Sequence, residues 1–328
     1  MVNRRTFLIA PAALFPGAFT ATASIAQPAN KATKMFVGFA PGGGTDALAR
    51  ALAEAIRPAF PGGIFVESKL GASGRLAVQA TRASDPDGSA LLFTPDFALT
   101  VYPHSFKKLG YDPIKDLTPV AVCARSGYAF CAGPAVPASV KNMREYVEWV
   151  KANPQSASYG SSGAGTTLHF AGIMLEKATG LILTHVPYKG GALSMTDVMG
   201  GQIPVSINAV GEALPHYQAG KLRVLGTFGA VRSPFMPEVP TMVESGYKDV
   251  VSEAWLAVLM PPKSPPALVT HVAEVLNKAT SSPELRERFA KFGMEPATSS
   301  PSALADLIVA DTRRWEPIIK SSGFTADE

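Results

Sequence analysis

Short apolar runs and helical stripes alternate along most of the chain. Met35 to Phe39 is an apolar run of strand length, and Gly42-Gly43-Gly44 follows it. Leu48, Leu52 and Ile56 then recur at i, i+4 and i+8, which predicts a helix over about 45–59. Ile64 to Glu67 reads as strand, and a loop through Gly71 and Gly74 leads to a helix near 75–83. Asp85-Pro86-Asp87-Gly88 is a turn before the strand Ala90 to Thr94. Val120 to Val136 is one long extended stretch. Met143, Tyr146, Val147 and Val150 form a helix face that Pro154 closes. Strand 158–160, loop 161–165 and helix 166–178 come next, the helix ended by Gly180. Strand 183–187, helix 192–199, strand 203–207, helix 211–219 and strand 222–227 complete the alternation. This order predicts an α/β fold, with parallel or mixed sheets covered by helices on both faces.

The last third changes character. Ser264-Pro265, Ser282-Pro283 and Ser300-Pro301 each set a hydroxyl before a proline, the pattern of an N-cap followed by the first helical residue. Three helices are expected there. The first buries a stripe of Leu268, Val269, Val272, Val275 and Leu276.

At the N-terminus, Asn3-Arg4-Arg5-Thr6-Phe7-Leu8 puts paired arginines before an apolar stretch broken by Pro11 and Pro16, and Ser24-Ile25-Ala26 supplies small residues for cleavage. Residues 1–26 therefore read as an export signal, of twin-arginine form or a general secretory signal with an incidental arginine pair. A periplasmic location is expected. Beyond residue 26 no apolar run approaches 18 residues, so the mature chain is not expected to span a membrane. Removing the signal takes away two arginines and no acid, and the formal charge falls from +4 to +2. With no basic tract in view, nucleic acid is not an expected partner.

Cys123 and Cys131 are the two cysteines. On one straight strand, eight residues apart, they would lie roughly 26 Å from each other. A bridge needs a turn near Gly127; otherwise they are buried hydrophobes. Neither they nor the five histidines have metal-ligand spacing, so no metal or cofactor is expected.

Candidate chemistry sits in two glycine loops, each opening a helix. One is Phe39-Ala40-Pro41-Gly42-Gly43-Gly44-Thr45-Asp46, the other Ser161-Ser162-Gly163-Ala164-Gly165-Thr166. Glycines let backbone approach a ligand, and a helix start offers unpaired N–H groups with partial positive charge. The two loops could close on one small anion or hold both ends of a dianion. Neither has P-loop or dinucleotide spacing. Asp46 reads as a helix cap, or as a carboxylate favouring ligands that carry a donor. Arg50 is the nearest basic candidate, and equally a solvated helix face. Gly160 to Ala164 falls one residue short of a nucleophile elbow. No acid can be placed to orient His169, which reads as packed against the loop. An enzyme is not expected.

Pro41-Gly42-Gly43-x-x-Asp46-x-x-Ala49-Arg50 resembles the opening motif of the substrate-binding proteins of tripartite tricarboxylate transporters, the TctC-like or Bug family. Glu67 to Gly74, Asp85 to Leu92, Asp116 to Val120, Tyr159 to Gly163, His185 to Gly190, Gly200 to Gln202 and Pro237 to Thr241 are similar in the same order. Leu70 and Ser73 depart from a family proline and glycine. The resemblance implies a two-lobed, type II-like Venus flytrap fold hinged on two crossing strands. Lobe one would be 33–125 plus 253–328 and lobe two 126–252. It implies capture of a small organic acid by a monomer, which hands it to the large and small membrane subunits of a permease. By position the contacts would be Phe39 to Asp46 and Ser161, Ser162, Gly163 and Thr166, with Asn208, Thr94, Tyr188 and Trp255 as further carry-overs. Tyr188 equally reads as a support for its loop, and Trp255 as core packing. Alternatives are a periplasmic sensor partner of a membrane kinase and a serine hydrolase.

Overall fold

A computed structural model describes residues 31–42 and 44–326. The export signal expected over residues 1–26 lies outside these residues, as does Gly43. The chain opens with β1 (Thr33–Val37) and α1 (Gly44–Ile56), then β2 (Ile64–Ser68) and α2 (Arg75–Arg82), then β3 (Ala90–Pro95). Two single-turn helices, α3 (Phe97–Thr100) and α4 (Tyr102–Ser105), precede the long strand β4 (Thr118–Ala132). The second run comprises α5 (Met143–Ala152), β5 (Ser158–Ser161), α6 (Thr167–Thr179), β6 (Thr184–Pro187), α7 (Gly191–Met199), β7 (Val205–Ala209), α8 (Val210–Gln218) and β8 (Arg223–Thr227). The chain returns through β9 (Glu253–Met260) and ends in α9 (Pro266–Thr280), α10 (Pro283–Ala290), a two-residue β10 (Glu295–Pro296) and α11 (Pro301–Ser322).

One sheet joins the strands in the order β2-β1-β3-β9-β4-β7-β5-β6, with β8 and β10 also paired to β4. Neighbours are parallel at both ends of the path and antiparallel around β9 and β4. The register fixes where the two parallel groups point. The end of β3 pairs Pro95 with Leu256, and Leu256 pairs with Ala124. The end of β7 pairs Ala209 with Tyr128. Both groups thus run toward the middle of β4, their carboxyl ends facing across four residues of that strand, about 13 Å at 3.3 Å per residue. Ligands bind at such facing carboxyl edges in open α/β sheets.

The core divides accordingly. Leu48, Leu52, Val258, Val272 and Leu276 pack α1 and α9 on one face of the first strand group. Tyr146, Phe170, Leu175 and Ile207 pack α5 and α6 on the second. Helix α11 reaches both, with Leu304 and Ile308 beside Trp255, and Trp315 and Ile319 beside Phe170.

Two of the three serine caps form as expected. Ser282 Oγ accepts Leu285 N–H and Ser300 Oγ accepts Ala303 N–H. The first helix starts one residue later than expected, at Pro266, and Ser264 Oγ donates instead to Pro261 O at 2.8 Å. The sequence Pro265-Pro266 explains the shift: the second proline takes the first helical position. Strand β4 stops at Ala132 rather than Val136. Both cysteines are free and fully buried on β4, so the packed-hydrophobe alternative holds.

Candidate functional site

The first loop leaves β1 and bends back over the turn at 71–74. Gly38 lies so close to Gly74 that a Cβ would sit 2.4 Å from its Cα. Phe39 packs edge-on to Phe97, ring centroids 5.9 Å apart. Ala40 is exposed and Gly42 holds φ +82°, a left-handed turn that favours glycine. Asp46 is 1% exposed and closes the loop from within. Its Oδ2 accepts Gly42 N–H at 2.9 Å and Arg50 Nε at 2.8 Å, and its Oδ1 accepts Arg50 Nη2 at 3.0 Å. Burial raises its pKa, but Arg50 and the Gly42 amide outweigh that and hold the carboxyl below its usual range. Asp46 is therefore a neutralised brace, and Arg50 is turned to it. Gly44 and Thr45 begin α1, where the first amides have no partner inside the helix.

The second loop leaves β5. Ser161 is fully buried; its Oγ lies 2.7 Å from His185 Nε2, donates to Gly163 O at 3.1 Å and accepts Gly163 N–H at 3.3 Å. Thr166 caps α6 by accepting His169 N–H, and donates to Gly163 O at 2.8 Å. The hydroxyls of Ser161 and Thr166 therefore shape the loop from inside. Gly190 N–H donates to Ser162 O and Tyr188 N–H to Ser161 O, which ties the loop to the turn after β6. Among the described residues the N–H groups of Ala164 and Thr166 have no acceptor. Gly165 holds φ +75°, with Phe324 behind it.

The remaining candidates sit behind these edges. Tyr188 donates its hydroxyl to Asp197 at 2.7 Å and packs on Gly160, so it supports the loop. Asn208 is fully buried; its amide donates to Gly191 O, Ser194 Oγ and Glu212 Oε2, and its carbonyl accepts from Ser206. Thr94 is buried at the end of β3. Trp255 is 1% exposed and donates to Asp311 at 2.8 Å, in the core position that was its other reading. The Ser161–His185 contact imitates a nucleophile and base, yet Ser161 has no exposed surface and no carboxylate orients His185 among the described residues. Tyr128, whose hydroxyl lies 2.6 Å from that of Thr167, links β4 to the start of α6. No local spacing could have revealed that pair, 39 residues apart in sequence.

Two facing carboxyl edges, each bearing a glycine loop at a helix start, make a crevice of the kind a two-lobed binding protein closes on its ligand. Residues 48–324 match the model of the tripartite tricarboxylate transporter family receptor, and the chain belongs to that family. It is 33% identical over 325 residues to "UPF0065 protein in gbd 5'region" of Cupriavidus necator, covering 98% of this chain and 97% of that one. The periplasmic binding protein BugD shares 29% identity at a TM-score of 0.75, over 90% of this chain and 98% of its own. R. palustris Rpa4515, solved with adipate, shares 26% identity at a TM-score of 0.79 with the same coverage. Among the described residues no helix is long and apolar enough to cross a membrane.

Proposed function

We propose that this receptor works in the periplasm, where it takes a small organic carboxylate between the loops at 39–46 and 161–166 and passes it to the large and small subunits of a tripartite permease. The observation that carries the reading is that two strand groups point their carboxyl ends at each other across about 13 Å of β4, and that each group bears one helix-opening glycine loop. The bodies that close would be 33–125 with 253–328, and 126–252, bending at β4 and β9. The adipate held by Rpa4515 supports a carboxylate ligand. Charge-assisted hydrogen bonds contribute about 1.5–3 kcal/mol each, so two or three supply a large part of the roughly 8 kcal/mol of micromolar binding, and burial of ligand on closure supplies the rest and offsets the costs of association.

The test is thermal unfolding of the mature protein, freed of ligand by unfolding and refolding, against mono-, di- and tricarboxylates and their amides. Ligand at a hundred times its Kd stabilises the fold by about 2.7 kcal/mol. A response to one carboxylate class that its amide loses supports the reading. Silence across all the acids would sink it.

A further inference from the structure

Behind the second loop two imidazoles lie face to face. His169, in the first turn of α6, and His185, on β6, stack with ring centroids 4.0 Å apart and 17° between planes. Each holds the loop at a different point. His185 Nε2 meets Ser161 Oγ at 2.7 Å. His169 Nδ1 accepts Gly165 N–H at 3.2 Å. A nitrogen that accepts carries no proton, so this bond requires the neutral His169 tautomer protonated at Nε2.

The surroundings favour neutral rings. From β5, the Tyr159 ring lies 5.0 Å from His185 and its hydroxyl donates to His169 O. Phe170 flanks His169 at 5.1 Å, and Phe324, after α11, meets it edge-on at 5.5 Å. The nearby titratable groups are Tyr159 itself and Glu176, two turns further along α6, whose carboxylate accepts Leu183 N–H. On α11, Glu316 and Lys320 pair with each other at the surface. Lys189, in the turn after β6, is exposed. Among the described residues no carboxylate bonds either imidazole. Burial pushes His169 down to about 4; burial and the charge of its neighbour push His185 down to about 3.

We propose that His169 and His185 are positioning residues of the second loop: neutral, they hold Gly165 and Ser161 in the binding conformation, and a proton on His169 Nδ1 releases Gly165 and with it the loop. The bearing on ligand rests on the two-loop reading above; the bearing on the loop does not. The sign follows from the folded values lying below the unfolded value of about 6.5. The folded state, in which Gly165 is bonded to His169, is fully favoured above about pH 6.5 and loses that advantage as pH falls toward about 4.

The test compares the mature wild type with His169→Ala, His169→Asn and His185→Gln. An Asn carbonyl can take the place of Nδ1, and a Gln side chain that of Nε2, without titrating. Ring 15N shifts and Gly165 amide protection are followed from about pH 7 to about pH 3, through the His169 value of about 4, without ligand, alongside affinity for adipate. The wild type is expected to keep the Nε2–H tautomer to about pH 5 and to lose Gly165 protection as His169 gains its proton. His169→Ala should lower that protection about tenfold at neutral pH, the loss of one hydrogen bond. His169→Asn should keep the protection and abolish its acid dependence. His185→Gln should keep the Ser161 anchor. Acid loosening that persists unchanged in His169→Asn, or protection untouched in His169→Ala, would overturn the proposal. Failure of adipate to bind, with the amide results as expected, counts against the ligand assignment alone.

Discussion

Ser73 stands where the chain turns with φ +55°, and Ala72 beside it holds φ +46°. Left-handed backbone costs an L side chain about 1–2 kcal/mol. Ser73→Gly is therefore expected to stabilise the fold by about 1 kcal/mol, read as a rise of about 2 °C in Tm. Its carbonyl would still accept the Tyr102 hydroxyl. Asp96 makes a second residue-scale case. It is 1% exposed with Oδ1 unpartnered, and burial, helped by Asp311 and opposed by Arg314, pushes its pKa up to about 8. The folded value exceeds the unfolded one of about 3.9, so the contribution of Asp96 to stability is most favourable below about pH 4 and falls as pH rises to about 8. Asp96→Asn should melt above the wild type at about pH 8 and converge with it toward about pH 4. A constant difference across that range would mean that Asp96 is ionised. The cysteines give a third. Burial pushes Cys123 up to about 12 and raises Cys131 as well. A thiol reagent should find neither in the native protein and both after unfolding, with or without prior reduction.

At the scale of elements, local signals and long-range ones part company. Ser282→Ala and Ser300→Ala each remove a formed cap and should cost about 1 kcal/mol, measured by chemical denaturation. Ser264 lies outside its helix, so its replacement should leave the helix start at Pro266. The two glycine loops were legible because their signals are contiguous in sequence: an apolar run, glycines, then a helix. Helices α3 and α4 were not, since one turn of Phe97 to Ser105 shows no period. Strand β10 has two residues and exists only because Glu295 and Pro296 meet β4. Asn208 could be read as polar at a strand end, but not as the centre of four internal hydrogen-bond partners on β7, α7 and α8. The His169–His185 stack joins residues 16 apart on different elements, and sequence alone assigned only His169 to the loop.

For the whole molecule, the alternation of strands and helices implied an α/β fold and the family resemblance its two lobes, and the register of β4 sets the carboxyl edges of the two strand groups face to face. Helix α11 ties the groups together, since Leu304 and Trp315 belong to different cores. In the proposed closed state one ligand engages both loops at once. Amide shifts of the 15N-labelled mature protein, titrated with the carboxylate that stabilises it most, test this directly. Gly44 and Thr45 are expected to shift together with Ala164 and Thr166, and both sets to saturate at one concentration. Shifts confined to one loop, or saturation at two different concentrations, would contradict it.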